Sequence, residues 1–161
     1  MLNPAYVPPG SSEMPAVLRH EFTHVATLTA AHRGAPVWAI EGAAEYTAYR
    51  GHPQDQRVTR RIGADGHAHR LPKQMPASAG FYGARQDYLY GYSWLAFEYL
   101  SETYGETRLR ALYDKLLAID AAPDSAADRT AEAAAFSAVL HVSEHRFVGQ
   151  LDSWIPRVLT G

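Results

Sequence analysis

Cysteine is absent from this chain of 161 residues. Its absence excludes a disulfide framework, a thiolate nucleophile and thiolate metal ligands, so a metal would have to be held by histidine and carboxylate. The sequence also lacks an apolar run of about 18 residues, which argues against direct membrane insertion. An excess of charge of one sign is missing too, because the formal net charge is −2. This balance predicts that neither nucleic acid nor an anionic membrane surface is a partner.

The length is typical of one domain, which we predict to span residues 1–161. Residues 1–10 have neither the cationic start nor the long apolar part of a signal peptide. We therefore expect the chain as given to be soluble, with its compartment and oligomeric state left open. The abrupt start at Met1-Leu2-Asn3-Pro4 is also compatible with an excised domain of a secreted or membrane-anchored protein.

The most informative pattern is His20-Glu21-x-x-His24. Residues four apart on a helix lie almost above one another, so the two imidazoles of this run face one ion. Glu21 lies about 100° round the helix axis from His20, beside the metal rather than bound to it. Catalytic zinc takes three protein ligands and keeps the fourth position for water, so the pattern requires a third donor from elsewhere.

Glu41 is the candidate for the third ligand. It lies in Trp38-Ala39-Ile40-Glu41-Gly42-Ala43-Ala44-Glu45, where a second carboxylate follows one helical turn later. Glu45 is therefore placed to accept the outer N–H of a ligand histidine and to fix its tautomer. Its alternative role is a charge on the helix surface.

These residues resemble the gluzincin metallopeptidases of the peptidase MA-like kind. In that family the motif helix supplies two histidines and the next helix supplies a glutamate. The resemblance covers roughly residues 16 to 118, and the matching blocks are Arg19-His20-Glu21-Phe22-Thr23-His24, the run Pro36 to Tyr46, Tyr90-Gly91-Tyr92-Ser93-Trp94, Tyr99-Leu100 and Tyr104-Gly105.

The resemblance implies a role for each matching position. His20, His24 and Glu41 are expected to bind one zinc ion per chain, and Glu21 is expected to be the general base. It also implies a tyrosine near the start of the third block as the oxyanion donor, for which Tyr90 is the first choice. Tyr88 is the alternative donor, and ordinary aromatic packing is the competing interpretation of both tyrosines.

The helical signals are strong along most of the chain. Ser11 or Ser12 is predicted to cap a first helix, and Gly34 is predicted as the residue just past its end. Leu18, Phe22, Val25 and Thr29 are expected to make core contacts opposite the metal face. Three further helices are predicted from Trp38 to about Arg50, from Gln86 to Tyr104 with a stop at Gly105, and from Thr107 to Ile119. Two more are predicted to begin at caps: one runs from Asp128 to about His141, and the other begins at Ser143.

Residues 52 to 85 mix Gly, Pro, His, Arg and Gln with little periodicity, which indicates a long loop. Long loops in compact domains are usually functional or mobile, so two interpretations of this loop stay open, a substrate lid and a surface excursion. The resemblance implies a β-sheet before the motif helix, but only about 15 residues precede that helix, and Ala5-Tyr6-Val7 supplies a strand fragment at most. We therefore predict a mainly α fold, a zincin-like helical core with little or no sheet.

The predicted function is zinc-dependent hydrolysis of peptide bonds in a peptide or protein substrate. Zinc lowers the pKa of its bound water to about 7, Glu21 takes the proton of that water, and a tyrosine donates to the oxyanion. Two alternatives stay open. One is a catalytically silent zincin-like interaction domain of a larger protein, and the other is a zinc hydrolase of a non-peptide amide or ester.

Overall fold

A computed structural model of the chain describes residues 12–27, 29–50, 62 and 71–160. The part it describes contains no β-strand, and its helices are α1 (Met14–Thr27), α2 (Val37–Tyr49), α3 (Gln86–Leu117), α4 (Ala126–Leu140) and α5 (Glu144–Thr160). The mainly α prediction is thus confirmed. Among the described residues, none of the helices combines the length and the apolar character that a membrane span requires. The strand fragment at Ala5-Tyr6-Val7 lies outside the described residues.

Helix α3 is two helical segments joined at a kink. Gly105 has φ 81° and ψ 158°, a conformation that L side chains rarely adopt. The predicted stop at this glycine is confirmed, because the helix direction changes there although the chain continues directly into the second segment.

The core lies where α3 packs against α2, α4 and α5. Aromatic rings carry much of this packing: Trp38 of α2 lies with its ring centroid 6.1 Å from Phe97 and 6.2 Å from Phe136. The Trp38 indole N–H also donates to Glu132 Oε1 of α4 at 2.6 Å, which satisfies a polar group in an otherwise apolar environment. These contacts anchor α2 from two sides.

Gly42 sets how closely α2 approaches α3. A Cβ at this position would lie 2.8 Å from both the Phe97 ring and the Ser93 carbonyl oxygen. Only a residue without a side chain therefore permits this crossing, and the crossing fixes the depth of the neighbouring Glu41 in the molecule.

Helix α1 differs from the prediction in its end and in its outer face. It ends at Thr27, and the chain then turns, so that His32 and Gly34 donate backbone N–H groups to carbonyls of Leu117 and Ile119. Gly34 is therefore a point of close backbone contact with the segment after α3, where a Cβ would lie 2.8 Å from backbone atoms, and not the C-terminal cap of α1.

The apolar residues on the outer face of α1 do not make the predicted core contacts. Leu18, Phe22 and Val25 are 46%, 65% and 70% exposed, and Thr29 is exposed as well. The reason is that α1 packs mainly against α2, which covers one side of it only. The Arg19 guanidinium strengthens this single contact with two hydrogen bonds to the Ala48 carbonyl, at 3.0 and 2.7 Å.

Part of the predicted lid is described. Residues 71–85 form turns and bends held against the body of the protein: the Asp124 carboxylate accepts the backbone N–H groups of Ser78 and Ala79 at 2.9 and 2.6 Å, and Met75 and Phe81 are buried. Of the remainder, Ile62 is buried in the core, and residues 51–61 and 63–70 lie outside the described part of the chain. Any lid function stays a prediction.

Candidate metal centre

The two histidines of the motif and Glu41 converge between α1 and α2. The Nε2 atoms of His20 and His24 lie 3.0 Å apart, and Glu41 Oε2 lies 3.4 Å from each of them. His20 and Glu41 are 3% exposed, whereas His24 is partly open to solvent. These three residues form a group that could hold a metal ion, and no second such group occurs among the described residues.

Helical geometry and the short connection explain why these side chains meet. His20 and His24 lie one turn apart on α1, and Arg19, next to His20, ties α1 to the C-terminal end of α2. The chain turns between residues 29 and 36, so that α2 returns along α1 and places Glu41 opposite both imidazoles.

Glu41 Oε2 is buried and makes no hydrogen bond of good geometry within the described part of the chain. A buried carboxylate oxygen that is 3.4 Å from its nearest imidazole nitrogens is only partly compensated for its lost hydration, which costs free energy. Because this oxygen is equidistant from two imidazole nitrogens, it could share a metal ion with them.

Glu45 lies on the other side of the His20 ring. Its Oε1 atom is 3.2 Å from His20 Nδ1, and its side chain is 5% exposed. The sequence predicted this contact from the one-turn spacing of Glu41 and Glu45. A carboxylate at Nδ1 favours the tautomer that carries its proton there, which leaves Nε2 to bind a metal.

The carboxylates dominate the electrostatics of His20. Burial alone lowers the pKa of His20, but Glu41 and Glu45 outweigh burial and raise it to about 9. Burial raises the pKa of Glu41, but the two histidines and Tyr82 outweigh burial and hold it well below its usual range. The centre thus has the negative charge that attracts a cation.

Glu21 has one carboxylate oxygen, Oε1, that is buried and has no hydrogen-bond partner among the described residues. Its side chain as a whole is half-buried, and it follows His20 directly on α1. The structure therefore places an unengaged carboxylate oxygen on the motif helix next to a candidate ligand.

Tyr90 lies at the centre and Tyr88 does not. The Tyr90 ring stacks on the His20 ring with a centroid separation of 6.1 Å. Burial raises the pKa of the Tyr90 hydroxyl well above its usual value, and the nearby Glu41 carboxylate raises it further, so the hydroxyl keeps its proton. Tyr90 is 7% exposed and is also in contact with Phe81, so it contributes to the core as well.

The Cζ atom of the Arg85 guanidinium lies 4.7 Å from the centroid of the Tyr88 ring. The Tyr88 ring also stacks on the Tyr92 ring, with a centroid separation of 6.3 Å. Burial raises the pKa of Tyr88 to about 12, and the charges that act on it are those of Arg85 and Asp152, not those of the metal centre. Two positions along a helix amount to a rotation of about 200°, so Tyr88 and Tyr90 face opposite directions. Tyr88 therefore lies away from the centre, and its role as the alternative oxyanion donor stays a prediction that this placement does not favour.

Tyr82 is the residue at the centre that the sequence did not predict. Its hydroxyl donates to Glu41 Oε1 at 2.6 Å, a short charge-assisted hydrogen bond. The residue lies in the turn-rich segment before α3, where no periodicity assigns a direction to a side chain. The available signal is weak: an aromatic pair, Phe81-Tyr82, lies between two glycines in the loop that follows the ligand helix in the chain.

No protein-family model, curated protein or solved structure matches this chain. The assignment of a function therefore depends on the geometry and chemistry of the centre.

Proposed function

We propose that this chain is a zinc-dependent hydrolase of peptide bonds, of the gluzincin type that its motifs resemble. The observation that carries the proposal is the spacing of the three donor atoms. Zinc bound tetrahedrally at about 2.0–2.1 Å requires ligand atoms about 3.3–3.4 Å apart, the edge of the tetrahedron. The separations of 3.4, 3.4 and 3.0 Å among Glu41 Oε2 and the two Nε2 atoms are close to this value.

The donor types support zinc as well. Two imidazoles and one carboxylate are a ligand set of catalytic zinc sites, which keep one position for water. When bound there, zinc lowers the pKa of a water ligand to about 7 and polarises a carbonyl oxygen of the substrate. His20, His24 and Glu41 hold the ion in this proposal, and Glu45 keeps the proton of His20 on Nδ1.

In this proposal Glu21 transfers the proton of the attacking water, and Tyr90 stabilises the negative charge of the oxyanion. The buried, unpartnered Oε1 of Glu21 accepts a proton from the attacking water and later transfers it to the leaving amine. The protonated hydroxyl of Tyr90, held beside Glu41, donates to the oxyanion as negative charge develops on it. The substrate carbonyl is thereby bound between a base and a hydrogen-bond donor.

The outer face of α1 favours a second function, that of an interaction domain without turnover. Leu18, Phe22 and Val25 form an exposed apolar surface on the motif helix itself. Surfaces of this kind often mark contacts with other proteins. Such a domain would bind zinc with the same ligands and would hydrolyse nothing.

Replacement of Glu21 by glutamine separates the two functions. An amide cannot accept the proton of water, so Glu21→Gln should retain one zinc per chain and lose hydrolysis of a generic peptide mixture by at least about 10²-fold. Zinc content is measured by elemental analysis and cleavage by mass spectrometry. Glu102→Gln, which removes the same charge from an exposed position on α3 and keeps a side-chain oxygen that can accept the Trp154 indole N–H, is the matched control and should keep full activity.

Two results would count against the proposal, the first against its mechanism and the second against its activity. Full activity of zinc-loaded Glu21→Gln would remove Glu21 from the mechanism. A wild-type chain that binds stoichiometric zinc and cleaves no peptide would instead favour the interaction domain or a zinc hydrolase of a non-peptide amide or ester.

A further inference from the structure

Glu41 offers its two carboxylate oxygens to different partners. Oε1 accepts the hydroxyl of Tyr82 at 2.6 Å, and Oε2 lies 3.4 Å from Nε2 of each motif histidine. The hydrogen bond to Tyr82 has the length of a strong bond to a charged acceptor. One oxygen is thus engaged before any metal binds, and the other is directed at the histidines.

The location of Tyr82 indicates that this hydrogen bond is its main contribution. Its side chain is 55% exposed and its ring has an edge contact with Phe81 at 5.5 Å, so it adds little to the buried core. The backbone around it is held by a turn in which the Gly83 N–H donates to the Gly80 carbonyl at 3.0 Å. Gly80 has φ +76°, a conformation that glycine adopts without strain, and this turn directs the hydroxyl of a surface residue inward to Glu41.

We propose that Tyr82 is a positioning residue that makes Glu41 a ligand through one oxygen only. A carboxylate binds a metal through one or both of its oxygens, and the choice depends on what else the oxygens contact. The Tyr82 hydroxyl occupies Oε1 and holds the carboxylate plane so that Oε2 alone faces His20 and His24. This inference rests on the proposed zinc site.

A ligand that binds through one oxygen keeps the coordination number low. If Oε1 were released, the carboxylate would be free to rotate and to take a second position on the ion, the position that the proposed mechanism reserves for water. Loss of the Tyr82 hydroxyl should therefore change the geometry of the site and weaken it, while the ligands themselves remain in place.

The test compares Tyr82→Phe with Tyr104→Phe. Tyr104 is the matched control because its hydroxyl also bonds a side chain of a different segment, Gln150 at 3.1 Å, but on α3 and α5, away from the centre. Zinc affinity is measured by competition with a chromophoric chelator. Coordination is measured by the visible absorption of Co²⁺-substituted protein, which is strong for four ligands and weaker for five or six.

Tyr82→Phe should bind one metal ion per chain with about 10- to 100-fold lower zinc affinity. Its Co²⁺ absorption should be weaker than that of the wild type and shifted, because the number of bound oxygens changes. Tyr104→Phe should match the wild type in both measurements, even if it is less stable.

A Tyr82→Phe protein with wild-type zinc affinity and a wild-type Co²⁺ spectrum would overturn the inference and leave the proposed zinc site intact. Absence of zinc binding in the wild-type chain would overturn both. Equal losses of affinity in Tyr82→Phe and Tyr104→Phe, with unchanged spectra, would assign the effect to stability and also contradict the positioning role.

Discussion

His20 connects the electrostatics of the centre to its proposed metal. The carboxylates that raise the pKa of His20 to about 9 are Glu41, a proposed ligand of the same ion, and Glu45, a proposed partner of the ring. Without a metal, these charges favour a proton on the imidazole. Zinc binds only the neutral form of a histidine nitrogen, so the ion and the proton compete for Nε2.

This competition predicts how zinc affinity depends on pH. Because the pKa of His20 in the metal-free folded protein is about 9, above its usual 6.5, the proton is bound at pH 7 and lost as the pH rises through 9. Zinc must displace one proton below that pH, so its apparent affinity should rise about tenfold per pH unit between pH 7 and 8 and level off above 9. Isothermal titration calorimetry in buffers of different ionisation enthalpy measures the released proton.

The variant Glu45→Gln is the control for this prediction. It removes one of the two carboxylates that raise the pKa of His20, so the pH at which the affinity levels off should fall below that of the wild type. A zinc affinity that does not change between pH 7 and 9, with no proton released, would contradict the raised pKa of His20 on which this prediction depends.

The sequence predicted those parts of the centre that depend on spacing within one helix. His20, Glu21 and His24 follow from the motif, and Glu45 follows from its distance of one turn from Glu41. Tyr82 could not be predicted in this way, because its contact with Glu41 joins residues separated by 41 positions across an aperiodic segment.

Helices α2 and α3 determine where the third ligand lies. Gly42 allows the two helices to approach so closely that a Cβ would meet the Phe97 ring and the Ser93 carbonyl at 2.8 Å. Because Glu41 is the preceding residue of the same helix, any separation of α2 from α3 also displaces its carboxylate. Packing in the core and geometry at the centre are therefore coupled through one glycine.

Replacement of Gly42 by alanine tests this coupling. The added methyl group should force α2 away from α3 and lower the free energy of unfolding by about 1–3 kcal/mol, with a loss of zinc affinity in the protein that remains folded. Gly149→Ala is the matched control, since nothing lies within 4 Å of a Cβ at that position on α5. It should stabilise the helix by up to about 1 kcal/mol and leave zinc binding unchanged.

Chemical denaturation gives the stabilities, and chelator competition gives the affinities. If Gly42→Ala were as stable as the wild type and bound zinc equally well, the close crossing would not be what positions Glu41.

Local signals predicted the helices better than their ends. Ser143 caps α5 as predicted, with its hydroxyl accepting the Arg146 N–H at 3.2 Å. The cap of α4 is Ser125 rather than the predicted Asp128, whose own N–H donates to the Ser125 hydroxyl at 3.2 Å. The early end of α1 had no local signal, because the following turn is held by carbonyls of Leu117 and Ile119, far along the chain.

The described parts of the chain differ in how firmly they are held together. Helix α3 is buried along most of its first segment, whereas α1 has only Ala16 and His20 buried and packs mainly against α2. A zinc ion at the centre would join His20 and His24 of α1 to Glu41 of α2. The ion would therefore act as a cross-link for the helix that the core holds least.

Hydrogen–deuterium exchange tests this expectation. Removal of zinc by a chelator should increase exchange in residues 14–27, where the backbone depends on a single packed face, and should change exchange little in residues 88–100. Zinc-loaded Glu21→Gln is the control and should show the slow exchange of the loaded wild type. Equal increases in both segments on chelation would instead indicate that the metal stabilises the fold globally.

X-ray diffraction from crystals of the zinc-loaded protein, measured on both sides of the zinc absorption edge, shows directly whether His20, His24 and Glu41 hold one zinc ion. We predict a single anomalous peak per chain, about 2.0–2.2 Å from Nε2 of each histidine and from Oε2 of Glu41. A peak bound by other residues, or no peak at these three atoms in crystals that contain stoichiometric zinc, would contradict it.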